Sequence, residues 1–282
     1  MINTPLITVI TICFNTNNLI GETILSVANQ TYENIEHIII DMVFDKDFKS
    51  NISKLYAENV SKWLHADSDS MLVDLLNQTV QDSFGEVVTF LEAGDVFADN
   101  DVLQNISKIN IDNADIIYGN FYHKNFSNDK IIGNIKNIHS IQTVVPQSSF
   151  IKKEVFTKHK LNIKDIRAQF YDFFLNCHKI GLCFLHINTV ISKISALCYD
   201  EFEEIIYKLS ILSYYVSTTK LYQSSYFKRL EEDYSFYNAQ DLKKKYKLRK
   251  SELDNLRKTN IYKLTMLLQS PAVLLKKIFR IT

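Results

Sequence analysis

PLITVITICFNTNNLIGETILSVANQTYENIEHIIID, Pro5 to Asp41, is the stretch on which the fold turns. Leu6 to Phe14 is an unbroken β-rich apolar run, the pattern of a strand covered on both faces. Asn18 to Asn29 places Ile20, Ile24 and Val27 at helical spacing, and Ile35 to Ile40 is a second apolar run that stops at Asp41. Parallel strands need a crossover between them, and a helix of this kind supplies it, so the stretch reads as one βαβ unit.

The same alternation continues downstream. Lys62 to Ala66 is a further strand, a helix follows from about Met71 to Asp82 with Leu72, Leu75, Leu76 and Val80 on one face, and Val87 to Leu91 is again apolar. Ala114 to Tyr122 reads as a strand, Val144 to Lys152 as a crossing segment, Phe170 to Ile180 as a helix, and Leu182 to Ile194 as a strand pair or one long strand. After about Tyr199 the pattern turns helical to the end. The expected architecture is α/β: a Rossmann-like domain over 1–198, with a mostly parallel central sheet flanked by helices, and a C-terminal helical region over 199–282. Two strands end on acids, Asp41 and Glu92, and open α/β sheets bind ligands outside the carboxyl ends of their strands.

Composition narrows the class. With 282 residues, 46% of them hydrophobic, and only 6 Gly and 3 Pro, the chain suits a buried core and excludes collagen-like or linker-like sequence. The four cysteines, Cys13, Cys177, Cys183 and Cys198, have no C-x-x-C spacing, which favours buried reduced thiols over a zinc site or a disulfide. Met1 to Phe14 lacks a basic leader and is too short to span a bilayer, and no later apolar stretch reaches the length a membrane helix needs. A cytoplasmic protein is the default expectation. Net charge is zero, yet 241–282 holds 12 Lys/Arg against 3 Asp/Glu. That basic tail, with Leu274, Leu275, Ile278 and Phe279 set against Lys276, Lys277 and Arg280, suits peripheral contact with an anionic membrane face, a solvated helix, or a partner-docking helix. Nucleic acid is not expected, since the basic run belongs to no recognised fold for reading bases.

Pro5 to Asp41, and most specifically its part Ser26 to Asp41, SVANQTYENIEHIIID, closely resembles the opening of the bacterial family-2 glycosyltransferases: a strand ending in C-[YF]-N, a helix with S-[IV]-x-x-Q-[ST]-Y, and a strand ending in Asp. Weaker similarity runs to about Ile194. The resemblance implies a GT-A fold, a nucleoside-diphosphate sugar as donor, a glycan or lipid-linked acceptor, and Mg²⁺ or Mn²⁺ on the diphosphate, where an oxygen-ligated cation would meet the charge on the leaving group. It further implies a general base that deprotonates the acceptor hydroxyl.

Carried over by position, Thr11, Phe14 and Asn15 lie beside the nucleobase and ribose, and Asp41 accepts from the base edge unless it is a turn or cap residue. HADSDSMLVDLLNQTV, His65 to Val80, resembles the family segment S-E-P-D-K-G-I-Y-D-A-M-N-K-G. It places Asp69 at the nucleotide, or as the helix N-cap, and Asp74 and Asn77 at the sugar. Glu92 and Asp95 stand where the family's D-x-D motif holds metal, with a solvated strand end and a helix cap as the alternative readings.

Several positions depart from the family. Phe90-Leu91-Glu92-Ala93-Gly94-Asp95 has Gly94 where the motif's central aspartate is expected, Ser70-Met71 replaces a Lys-Gly pair, and the turn after Asp41 has no glycine. On the acceptor-side helix Phe170 occupies the place of the base, and Pro146 stands where a His is common. Asp172 and Asp165 are the carboxylates left to serve as base. Two readings follow: an inverting transferase of surface-polysaccharide synthesis with altered roles for these acids, or a catalytically inactive subunit that binds a partner glycosyltransferase or a glycan.

Overall fold

The computed structural model describes residues 4–14, 19–42, 54–123, 130–138, 144–162 and 169–195. All of them fall in one compact unit, Met1–Ile138 with Gln142–Tyr199. The expected C-terminal helices and basic tail lie outside the described residues, as do Asn15 and Asp165.

The elements run β1 (Ile7–Cys13), α1 (Ile20–Ala28), β2 (Ile35–Asp41), β3 (Lys62–His65), α2 (Asp69–Asp82), β4 (Val87–Glu92), β5 (Val96–Phe97), α3 (Val102–Ser107), β6 (Ile116–His123), β7 (Lys130–Ile131), β8 (Ser149–Lys152), α4 (Lys153–His159), α5 (Gln169–Lys179) and β9 (Phe184–Ile194). They build a 9-stranded sheet in the order β3-β2-β1-β4-β8-β6-β9-β5, with β7 paired to β6. Its first half, β3-β2-β1-β4, is parallel throughout. The second half is mixed, because β8 runs antiparallel between β4 and β6, while β6 and β9 are parallel. The segment from Val144 resolves into a single helical turn at Pro146–Ser148 followed by β8, and the stretch at 182–194 is one long strand rather than a pair.

Every residue of β1 is buried, as a central strand with helices on both faces requires. Alternation along the strands separates the two faces. Ile7, Val9, Val87 and Leu91 pack with Val27 of α1 and with Val102, Leu103 and Ile106 of α3. The other face carries Phe90, whose ring stands 5.4 Å from Phe156 of α4 and 4.7 Å from Phe170 of α5. Gly119 marks the register shift where β6 meets β9: a Cβ there would lie 2.6 Å from Ile191 Cγ1 and 2.7 Å from the Thr189 carbonyl oxygen, so only glycine admits the close approach. Among the described residues no helix is long and apolar enough to cross a membrane.

One buried polar pair sits within the parallel half. His37 of β2 is 3% exposed and its Nε2 is 2.9 Å from Thr11 Oγ1 on β1. Burial pushes the imidazole down to about 4 from its usual 6.5. The unfolded chain therefore takes up a proton near pH 6.5 that the folded chain refuses until about pH 4, and stability present above that window is lost as the pH falls through it. The size is about 3 kcal/mol. A His37→Gln variant should accordingly gain about 3 kcal/mol relative to wild type between neutral pH and pH 4, read from denaturant midpoints. A difference that stays constant with pH would refute this.

Candidate active site

Parallel register decides what meets at the carboxyl edge. β1 pairs Cys13 with Asp41 on one side and Ile12 with Glu92 on the other, and β2 pairs Asp41 with His65. Trp63 precedes His65 by two residues and so shares its face. The Asp41 carboxylate, 1% exposed, accepts from Trp63 Nε1 at one oxygen and faces His65 Nδ1 at 2.6 Å with the other. The far side of the ring, Nε2, is 3.0 Å from Asp67 Oδ1. The chain of groups runs outward from buried Asp41 through His65, whose side chain is 31% exposed, to Asp67 at 66%. Sequence reasoning passed over Trp63 and His65. The signal was the two-residue period of Lys62–His65, which brings both side chains to the face of Asp41 once β3 is placed beside β2.

The turn after β4 is held from three sides. Asp95 Oδ2 accepts from the Glu92 backbone N–H at 2.9 Å, and the Asp95 N–H returns to the Glu92 carbonyl at 2.8 Å. Asp95 Oδ1 accepts from Ser195 N at 2.8 Å and Ser195 Oγ at 3.3 Å, just past the end of β9, and Gln147 adds a side-chain hydrogen bond. Thr23 Oγ1 of α1 accepts from Gly94 N at 2.8 Å. Asp95 is 1% exposed, and burial pushes its carboxyl up to about 6 against the hydrogen bonds that pull it down. It is no helix cap. α3 begins at Val102 with Asp101 before it. Glu92 is half-buried, and Gln147 Nε2 reaches its Oε1 at 3.4 Å.

The remaining sequence-named residues are spread more widely. Thr11 is buried in β1 against His37, and Phe14 follows β1, half-buried. Ser68 caps α2, accepting from Met71 N at 3.3 Å, so Asp69 is the first helical residue and not the cap. Asp74 is exposed on α2. Asn77 exchanges two hydrogen bonds of 2.9 Å with the backbone of Leu161, pinning the chain after α4 to α2. On α5 it is Phe170 that turns toward Phe90. Asp172, two residues on and therefore about 200° around the helix, is half-buried on a different side. Of the described cysteines, Cys13 and Cys177 are buried, while Cys183 is exposed.

The donor set fits a divalent cation poorly. Gly94 has φ of 101°, and a Cβ there would lie 2.9 Å from Ser195 Oγ and 3.2 Å from Leu19 Cδ1, so the backbone itself excludes an aspartate at this position. Both Asp95 oxygens already hold donors. Among the described residues no group of three His, Cys, Asp or Glu stands close enough to hold a metal ion. Glu92 and Asp95, the pair expected to share the ion, do not form a two-carboxylate site.

The model for glycosyl transferase family 2 matches residues 8–191. The chain is 24% identical over 201 residues to glycosyltransferase GlyG of Streptococcus pneumoniae serotype 4, an alignment covering 62% of this chain and 67% of that protein. It is 29% identical over 120 residues to a glycosyltransferase of Rickettsia felis, covering 42% of this chain and only 20% of that longer protein. Among solved structures, residues 1–349 of S. aureus TarS in complex with UDP-GlcNAc superpose with a TM-score of 0.61 at 12% identity, over 84% of this chain and 77% of that one. The mannosyltransferase PcManGT from Pyrobaculum calidifontis, in complex with GDP-Man and Mn²⁺, gives 0.58 at 12% identity, over 99% and 88%. At such identities the two structures speak for a shared GT-A fold.

Proposed function

Because the chain belongs to glycosyl transferase family 2, we propose that it moves a sugar from a nucleoside-diphosphate sugar to a hydroxyl of a glycan or lipid-linked acceptor, with inversion, in building a bacterial surface polysaccharide. The observation that carries this reading is the meeting, at one sheet edge, of the Asp41–His65–Asp67 chain and the Glu92–Gln147 pair on either side of β1. The fold shared with structures holding UDP-GlcNAc and GDP-Man supports the donor class.

The reaction is a displacement. The acceptor oxygen forms a bond to the anomeric carbon while the bond from that carbon to the diphosphate oxygen breaks, and the nucleoside diphosphate leaves with the electron pair. Attack in line with the departing bond inverts the centre. The acceptor's proton passes to a carboxylate, which we assign to Glu92, at the edge beside Gln147 of the helical turn before β8. Asp172 and Asp165 are the alternatives. Water must be kept from the anomeric carbon, and the buried aromatic group of Phe90, Phe156 and Phe170 behind Glu92 gives that side of the edge an apolar backing.

The inactive-subunit reading is favoured by one observation: the residue at the base's expected place, Phe170, is a core side chain against Phe90. Both readings are separated by ligand-dependent melting with UDP, GDP, UDP-GlcNAc and GDP-Man. A donor at a hundred times its Kd should stabilise the native state by about 2.7 kcal/mol. Absence of any shift, with every nucleotide tried at high concentration, discards the transferase reading.

A further inference from the structure

We propose that this chain binds its nucleoside diphosphate without a divalent cation bridging the diphosphate to the turn after β4. The inference rests on the nucleotide-sugar reading above and departs from the metal use that the family resemblance implies.

Three features of the turn carry it. First, the Asp95 carboxylate, 1% exposed, accepts from Glu92 N, Ser195 N and Ser195 Oγ and also takes a hydrogen bond from Gln147. A carboxylate offers about four acceptor directions, so a cation would have to displace one of these donors and leave a part-buried N–H or O–H without its acceptor. Second, Gly94 holds φ of 101°, and its absent side chain would collide with Ser195. The position cannot present a carboxylate without rebuilding the turn. Third, Gly94 N on Thr23 Oγ1 and Asp95 on Ser195 clamp the turn between α1 and the end of β9, so rebuilding it would break contacts on both sides.

Of the two acids expected to hold the ion, that leaves Glu92. A lone carboxylate leaves a Mg²⁺ or Mn²⁺ ion held mainly by water and by the diphosphate's own oxygens. The ion then travels with the nucleotide in solution as readily as on the protein and adds little to the protein's affinity.

The test uses the full chain as it exists. UDP and GDP are titrated calorimetrically in EDTA and again in excess MnCl₂, and protein-bound Mn²⁺ is followed in parallel by water-proton relaxation. Dissociation constants that agree within about twofold, with no relaxation enhancement on adding nucleotide, bear the proposal out. Tightening of about tenfold or more with Mn²⁺, equivalent to about 1.4 kcal/mol, or an enhanced relaxation signal, overturns it while leaving the transferase reading standing. Should neither nucleotide bind under either condition, the proposal falls together with that reading.

Discussion

Replacing Glu92 with glutamine is expected to lower turnover by about 10²- to 10⁴-fold, the usual loss when a general base is removed, while UDP- or GDP-dependent melting persists. The substitution keeps the volume and the Gln147 contact but removes the group that takes up the acceptor's proton. Asp172→Asn should change turnover by no more than about twofold on the same assay, a ratio well below the loss of a base. The reason is geometric: α5 is keyed to β4 through Phe170 and Phe90, which directs Asp172 to a different side of the helix. A large loss in Asp172→Asn with normal turnover in Glu92→Gln would exchange the two roles.

Asp95→Ala should cost about 2–4 kcal/mol at neutral pH, read as a lower denaturant midpoint at unchanged slope. Two part-buried backbone donors, Glu92 N and Ser195 N, lose their buried acceptor together, and each such loss typically costs about 1–3 kcal/mol. The wild-type carboxylate offsets part of that, since burial makes its charged form unfavourable and lifts it to about 6. Protonation relieves the strain, because between about pH 6 and pH 3.8 the folded state binds a proton that the unfolded chain does not. Wild type is thus favoured as the pH falls through that window, and the penalty of Asp95→Ala should widen there. A penalty that shrinks on acidification would contradict this account of Asp95.

Much of the architecture could be read from Pro5 to Asp41 alone. Runs buried on both faces, such as Ile7–Cys13 and Ile35–Asp41, leave an unambiguous apolar signature, and the crossover helix between them has a clean face through Ile20 and Ile24. The two-residue strands Val96–Phe97 and Lys130–Ile131, and the short helices Val102–Ser107 and Lys153–His159, were not legible. Elements of one or two turns are fixed by tertiary partners rather than by any periodicity of their own. The site was legible in half. Strand ends announced Asp41 and Glu92, and the glycine at 94 announced a departure. That Asp95 faces inward to Ser195 was invisible, because a hydrogen bond across a hundred positions leaves no local pattern. The same holds for Asn77, matched by sequence to a sugar-binding position, whose amide holds the backbone of Leu161 84 positions on.

Ser195, the anchor of Asp95, is synthesised 100 positions after it. A growing polypeptide on the ribosome can assemble the parallel strands early, yet the turn beside them cannot take its final shape until β9 has emerged and zipped onto β6. The cell therefore never carries a half-translated version with a finished turn, and a chain that stops short of Ser195 lacks the turn's clamp however well its first sheet is made.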